Sequence, residues 1–600
     1  MRTRGRLTSR TRHQLAVCTL LLLLVIAACA PPQRAPAPTG GEASVQAPQR
    51  AQGTRKVLNM GITSIIDAFS VAGSSTTSGG GLGYIEIHSQ ALFTADKATG
   101  RPIPRLLAEQ PTLDNGGLRI ADDGRMIATY RLRRDVKWAD GAPFTANDLM
   151  FTYRAVKNPA VPVLDSGPSK LMESASAPDD FTFVITWRQP YYLADAIGLR
   201  AFWPLPAHLL EADYLALVEE QKDALAWLAK PYWSSDYVHI GPFKLVEFTP
   251  QVQAVFEAVD TYFLGRPKVD RIVVKQFTDN GTTLANALAG GIDLATEGAL
   301  NSERGSELKR RWDADGAGKV YIGTGNTWFV SIQFDATVPN YATVLQDKRI
   351  RQALYMAIDR ESLADTLSDG VPGMAADALL PPDNPLFSVV RNGWKDRYPF
   401  DLNRSAAAFE AAGWRKGVDG TLVNSGGDHL KLELRTTADQ TRKQAIVGDM
   451  WKRAGADLDL VVVPTARIRD VEYRQQFPGG EITARGSQDS ILTRLELSEQ
   501  PTPQNRFSGN NRGHWYSEQY EALVTRYRTN LREDGRGQAI KEIQDLLVEE
   551  LPLMLLHYET HVAFARKGVT AFQDDFPGGS DAGRIYGTYS RNAHEWDLVP

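Results

Sequence analysis

The run His557-Tyr558-Glu559-Thr560-His561 is the best candidate for a metal site in the chain. On a strand, residues i, i+2 and i+4 share a face, so two imidazoles and a carboxylate would point to one side. Successive members then stand about 7 Å apart, at a rise of about 3.3 Å per residue, too far for all three to bind one ion without a bend. A polar strand face is the competing reading. Other chemistry has less to work with. There is no GxSxG elbow, no HExxH and no CxxC, and the Gly-rich run Ser74 to Gly83 (SSTTSGGGLG) lacks both GxGxxG and a following Lys-Ser/Thr. That run reads either as a cleft-lining loop offering hydroxyls and backbone N–H groups or as a mobile surface loop. No catalytic group, metal or cofactor is expected.

The chain opens with a segment that does not belong to the fold. Arg2, Arg4, Arg6, Arg10 and Arg12 precede the apolar run Leu15 to Ile26, which is shorter than the roughly 20 residues a membrane span needs. Ile26-Ala27-Ala28-Cys29 resembles a lipobox, with cleavage before a lipid-bearing Cys29. An ordinary signal peptide that happens to hold a Cys is the alternative. The only other cysteine, Cys18, lies inside the removed segment, so no disulfide is expected in the exported protein. Residues 29–54 are rich in Pro, Ala, Gln and Gly and too poor in large apolar side chains to fold, which makes them a tether. What remains of the 600 residues exceeds what one core serves, so at least two lobes are expected. A hydrophobic content of 43%, a charged content of 23% and a net charge of −4 give no reason to expect nucleic acid as a partner.

The stretch Arg105 to Lys157 is the most informative. Met126, Ala128, Tyr130 and Leu132 alternate with Ile127, Thr129, Arg131 and Arg133 as a two-faced strand, with Val136 to Trp138 as its expected hairpin partner. Asp140-Gly141 turns the chain, and Thr145 is placed to cap a helix with Asp148 three residues on. Further along, Arg271 to Phe277, Thr282 to Ala289 and Ile292 to Leu294 read as a βαβ unit. Leu430 to Leu434, Asp439 to Ala454 and Leu458 to Val462 read as another. Tyr321 to Phe334 is a long apolar strand between them, and Leu553 to Ala565 a second. Asp347 to Ala357 is an amphipathic helix.

The order of strand, Trp-containing turn, Asp-Gly and Thr-capped helix resembles the family 5 extracellular solute-binding proteins, the peptide- and nickel-type receptors of ABC importers. Leu107-Ala108-Glu109, Asp123-Gly124, Tyr130, Leu132-Arg133, Trp138, Asp140-Gly141, Pro143-Phe144-Thr145-Ala146 and Asp148 carry the likeness. It extends through Gly241-Pro242-Phe243, Arg351-Gln352-Ala353-Leu354, Ala357-Ile358-Asp359-Arg360 and Trp515-Tyr516-Ser517. The resemblance implies an α/β, two-lobe periplasmic-binding-protein-like fold of type II, in the large family 5 class. Residues 55–95, 205–322 and 560–600 would form lobe I, 96–204 an extra subdomain of lobe I, and 323–559 lobe II, after a leader over 1–28. It also implies a lipid-anchored, extracytoplasmic, monomeric receptor that passes an oligopeptide, oligosaccharide or similar small solute to ABC permease and ATPase subunits. An exported two-lobe enzyme or sensory co-receptor is the alternative.

By the same resemblance Asn326, Trp328, Phe329 and Gln333 fall on a cleft-facing strand, Tyr84 lies on the opposing lobe, and Asp489 stands where peptide-binding members place an acid for the α-ammonium. The segment Glu481 to Leu495 lacks the Trp and the Asp-Pro of that pattern, so Asp489 reads equally as the cap of a helix starting at Ser490. The lobes are expected to hinge at Tyr321 to Phe334 and Leu553 to Ala565. Because no later segment is apolar enough to hold a membrane, Cys29→Ser is expected to release a folded protein or to leave the precursor uncleaved. Recovery of a cleaved form in the membrane fraction would exclude the lipoprotein reading.

Overall fold

The computed structural model describes residues 55–599 apart from 65, 70–82, 97–98, 100, 162–166, 383, 487 and 573–587, and the side chains of 297 and 488–490 are likewise outside the description. The leader, the tether, Cys29 and nearly all of the Ser74 to Gly83 loop therefore lie outside the described residues. One ten-stranded mixed sheet dominates. In chain order its strands are β1 (Val57–Ile62), β2 (Phe243–Thr249), β3 (Gln253–Ala258), β4 (Arg271–Gln276), β5 (Leu294–Leu300), β6 (Gly318–Ile332), β7 (Lys431–Thr436), β8 (Asp457–Val462), β9 (Gly480–Arg485) and β10 (Leu553–Arg566). They lie side by side as β8-β7-β9-β6-β10-β5-β1-β4-β3-β2.

Each half is built on a parallel crossover. Helix Asn280–Leu288 joins β4 to β5, both of which run parallel to β1, which lies between them. Asp279 starts that helix by accepting the Thr282 N–H at 2.9 Å. Helix Thr441–Ala454 joins β7 to β8, which pair directly, and Gly455 ends it in the left-handed region at φ 111°, where a side chain would be strained.

The two halves meet on one ladder. β6 and β10 pair antiparallel from Gly318↔Arg566 to Ser331↔Leu553. β5 reaches only the Val562 to Ala565 end of β10, and β9 only the Thr327 to Ile332 end of β6. The ladder slips where these ends adjoin. Gly325 and Asn326 face the single residue Glu559, and a second slip between Trp328↔His557 and Phe329↔Leu555 leaves Leu556 extra on β10. Such bulges bend a strand and raise its local twist. A Cβ on Gly325 would enter the His561 ring, so this close approach of backbone and imidazole requires glycine.

A separate four-stranded antiparallel sheet, Leu118–Ile120, Met126–Arg131, Thr182–Trp187 and Met172–Asp179 in that order, covers the signature region. Met126, Ala128 and Tyr130 are fully buried, as their alternation predicts. Their expected hairpin partner is corrected: Val136 to Trp138 does not pair with this strand, which takes Leu118–Ile120 and Thr182–Trp187 instead. A six-residue ladder with Thr182–Trp187 outcompetes the few pairs that the short 136–138 run offers, and Lys137 keeps only an isolated bridge to Pro143. Trp138 instead packs against Phe144 and His239.

The capping box is present, and it does more than cap. Asp148 accepts the Thr145 N–H at 2.9 Å, the Trp138 indole N–H at 3.3 Å and the Ala207 N–H at 2.9 Å. One buried carboxylate thus ties the turn, the helix Ala146–Lys157 and the return of the chain at 207. Segments flanking the small sheet also touch the helices Glu518–Thr529 and Glu533–Glu550. The Tyr192 N–H donates to the Arg528 carbonyl at 3.0 Å, the Tyr192 and Tyr527 rings lie 5.3 Å apart, and Arg101 forks onto Glu533. Asp148→Ala strands three donors, two of them backbone, and is expected to lower the unfolding free energy by about 2–4 kcal/mol. Urea denaturation measures this, and a loss below about 0.5 kcal/mol would show that the carboxylate holds nothing together.

Candidate functional site

The slipped centre of the β6·β10 ladder gathers polar and aromatic side chains. Helix Thr441–Ala454, set by the β7–β8 crossover, brings the Lys443 ammonium 4.0 Å from the centre of the Trp328 ring. Its Nζ also donates to Gln440 Oε1 at 2.6 Å. Burial lowers the Lys443 pKa, and the nearby carboxylates of Glu559 and Asp439 oppose that shift. Trp328 lies parallel to His557 at 6.3 Å. His557 Nδ1 donates to the Tyr558 carbonyl at 2.8 Å, which fixes the tautomer and leaves Nε2 as an acceptor. Asn326, on the bulge, donates to Glu559 Oε2 at 2.7 Å.

Several buried atoms here have no hydrogen-bond partner among the described residues: Thr324 Oγ1, Trp328 Nε1 and His557 Nε2, with Thr327 Oγ1 on the opposite face of the sheet. Buried polar atoms are nearly always paired. Their concentration on two strands, beside a cation and an aromatic face, makes this seam a place to hold a polar molecule.

The expected site residues separate. Asn326 and Trp328 lie at the seam. Phe329 is fully buried beneath the Arg494 guanidinium, 5.5 Å from its ring centre. Gln333 is corrected from ligand group to clamp: its amide donates to the Gln475 and Phe477 carbonyls at 2.9 and 3.1 Å and accepts the N–H groups of Phe334 and Asp335. That use engages both ends of the amide in the core. Tyr84 is fully buried with its ring against His88, and burial raises its pKa. The Asp489 side chain lies outside the described residues. Its backbone sits within a 3-10 helix that already begins at Gln488, so the cap of a helix starting at Ser490 is not its place. The three groups of His557-Tyr558-Glu559-Thr560-His561 take separate partners, with the His561 ring against Gly325, and no metal-holding group of His, Cys, Asp or Glu occurs among the described residues.

A second cluster, on the opposite face of the same sheet, was not singled out in the sequence. Around Glu481, which is 0% exposed, stand Arg474, Arg494 and Arg512, and Arg485 lies near Arg494 and Arg512. Arg474 pairs with Glu481 at 2.6 Å and Arg512 at 3.1 Å. Burial raises the Glu481 pKa, yet Arg512, Arg474 and Arg494 together hold it below its ordinary value. Burial lowers the Arg485 and Arg494 pKa values, and the charge of Arg512 lowers both further. The available signal was the density of Arg within 474–512, though only folding brings Arg512 beside β9.

Two α/β halves, joined by a pair of crossing strands with charged and aromatic groups gathered at the crossing, define a two-lobe binding protein. The family model of the bacterial extracellular solute-binding proteins, family 5 Middle, matches residues 102–485, and the chain belongs to that family. It is similar to the oligopeptide-binding protein OppA of Bacillus subtilis, 23% identical over 468 residues that cover 74% of this chain and 78% of that one. Its fold is similar to an oligopeptide-binding protein of Thermus thermophilus complexed with a pentapeptide, with TM-score 0.67, 23% identity, and coverage of 90% and 96%. NikZ of Campylobacter jejuni, in complex with Ni(L-His), is similar at TM-score 0.65 and 20% identity, with coverage of 90% and 99%.

Burial, and then the charge of Lys443, hold the His557 pKa down at about 3, against an ordinary value of 6.5. Between those values the unfolded chain binds a proton that the folded chain refuses, so His557 makes stability fall as pH drops from 6.5 towards 3. His557→Gln is expected to lose about 2 kcal/mol less than the wild type between pH 7 and 5. Urea unfolding at the two pH values reads the difference, and equal losses would show that His557 does not stay neutral.

Proposed function

We propose that this chain is the receptor of an ABC importer: it captures a peptide-like or other small solute between its two halves and delivers it to the permease and ATPase chains. The observation that carries the reading is the single, twice-slipped β6·β10 ladder between the halves, with unpartnered polar atoms and the Lys443–Trp328 pair beside it. A few residues absorbing φ/ψ change at such a junction are enough to swing two rigid lobes. Asn326, Trp328, Lys443 and Glu559 at the crossing stay within reach of the solute as the halves move. The peptides named for the Bacillus and Thermus relatives support a solute of that kind.

The protein acts as a monomer and carries out no catalysis. It is held outside the cytoplasm by a lipid on Cys29, and no helix among the described residues is long and apolar enough to cross a membrane. The closure test is small-angle scattering of the full chain with and without a saturating pool of tri- to pentapeptides. The radius of gyration is expected to fall on binding. A peptide present at 100 times its Kd should add about 2.7 kcal/mol of stability. Stabilisation with an unchanged radius would exclude hinge closure, and neither effect with any pool would exclude peptides as the solute.

A further inference from the structure

We propose that a patch away from the β6·β10 ladder latches the two halves together, with Arg101 and Tyr192, which flank the small sheet, holding Glu533, Tyr527 and Arg528 on the helices Glu518–Thr529 and Glu533–Glu550. The latch sets how tightly a solute is held without touching it. The inference rests on the receptor reading and adds to it a control of the closed arrangement.

Each side of the patch is built into a different half. The small sheet and its helix belong with β1 to β5. The Ala139 N–H donates to the His239 carbonyl at 3.1 Å, Asp148 accepts the Ala207 N–H at 2.9 Å, and Phe151 and Ala155 share one core with Leu58, Met60 and Ile272. The two helices belong with β7 to β9. Arg351 donates to the Glu550 carbonyl at 2.9 Å, and on the same helix, Lys348–Met356, the Leu354 carbonyl accepts the indole N–H of Trp451 from the β7–β8 crossover at 3.0 Å. Tyr520 donates to the Leu492 carbonyl at 2.7 Å, and Arg528 forks onto Glu496 at 2.7 and 2.8 Å. Helix Glu518–Thr529 is thereby fixed to the segment that carries Asp489 and places Arg494 over Phe329, so the patch spans the halves on that side of the seam.

The contacts are specific and each is easily given up. The Tyr192 N–H donates to the Arg528 carbonyl at 3.0 Å, one of the acceptors that the last turn of a helix leaves open. Tyr192 is 9% exposed, its ring 5.3 Å from that of Tyr527 and 5.7 Å from the Arg536 guanidinium. Arg101 forks onto Glu533, the first residue of the next helix, at 2.8 and 3.0 Å, in an exposed pair. Water can replace the backbone bond and the ion pair when the halves part, so neither leaves a group stranded. The Asp148 clamp is buried and serves three donors, and no such exchange is open to it. A swing about the ladder therefore breaks at this patch and leaves the small sheet on its own half, because groups off the hinge move furthest while the lobes stay rigid. Loss of the latch lowers the closed fraction, and apparent affinity falls with that fraction.

The test reads the full chain in two ways. In the ligand-free protein, hydrogen exchange at the Tyr192 amide is expected to be about threefold faster in Arg101→Glu and to return to the wild-type rate in the charge swap of Arg101→Glu with Glu533→Arg. Calorimetric titration with the tri- to pentapeptide pool is expected to give binding about threefold weaker in Arg101→Glu and about tenfold weaker in Tyr192→Ala, with recovery in the swap. Faster dissociation carries the loss. Arg536→Gln reads the ring contact a second time, and weaker binding is expected there even where Tyr192→Ala does not fold. Tighter binding in these variants, exchange and affinity that stay at wild-type values, or a swap that recovers nothing overturns the latch. Compaction by peptides with equal affinity for wild type and variants sinks the latch and spares the receptor, whereas latch-dependent exchange without binding of any pool does the opposite.

Discussion

The β6·β10 ladder carries the mechanical logic of the molecule. Each half of the large sheet has its own parallel crossover and its own helices, so each is stiff by itself. The shared ladder is long, but its pairing is broken twice within a few residues, and those residues are the ones whose side chains remain polar and incompletely paired. A bulge removes ladder hydrogen bonds and re-aims side chains. The same irregularity therefore softens the junction and turns Asn326 towards Glu559. Gly325 completes the arrangement, since only a residue without a side chain lets His561 come so close.

Electrostatics give the two faces of this junction different characters. On the Trp328 face one ammonium has Glu559 nearby, and His557 is kept neutral by burial and by the charge of Lys443. On the Phe329 face three guanidinium groups, those of Arg474, Arg494 and Arg512, surround one buried carboxylate, that of Glu481. Leaving a charge desolvated and unmatched costs several kcal/mol, a strain that a protein stabilised only by its own contacts has no reason to keep.

The residues that make the sequence recognisable hold the backbone together rather than line the seam. Trp138, Thr145 and Asp148 form a clamp in which one carboxylate satisfies three donors, far from the seam in role if not in importance. Arg351 behaves likewise, its guanidinium holding the carbonyls of Leu345, Gln346 and Glu550. Gln333, read from the sequence as a cleft residue, belongs with them. An amide flanked by backbone groups and shut off from water becomes a structural bracket whatever the strand it stands on.

The sequence by itself determined what depends on neighbours along the chain. The alternation of Met126 to Arg131, the Thr145 cap with Asp148, the helix beginning at Asp347 and both crossover units follow from periodicity and from the local satisfaction of helix ends. Family membership followed as well, because its signature is a local fold of turn and helix. Tertiary structure decided whatever depends on which strand lies beside which. The insertion of β1 between β4 and β5, the preference of Met126–Arg131 for Thr182–Trp187 over the nearer Val136 to Trp138, and the slips that set Asn326 against Glu559 are choices among pairings of similar local quality. The arginine cluster is the clearest case. Arg485 and Arg512 look like ordinary surface charges in the sequence, and only the packing of the 494–512 segment against β9 removes water from them and makes their charges count.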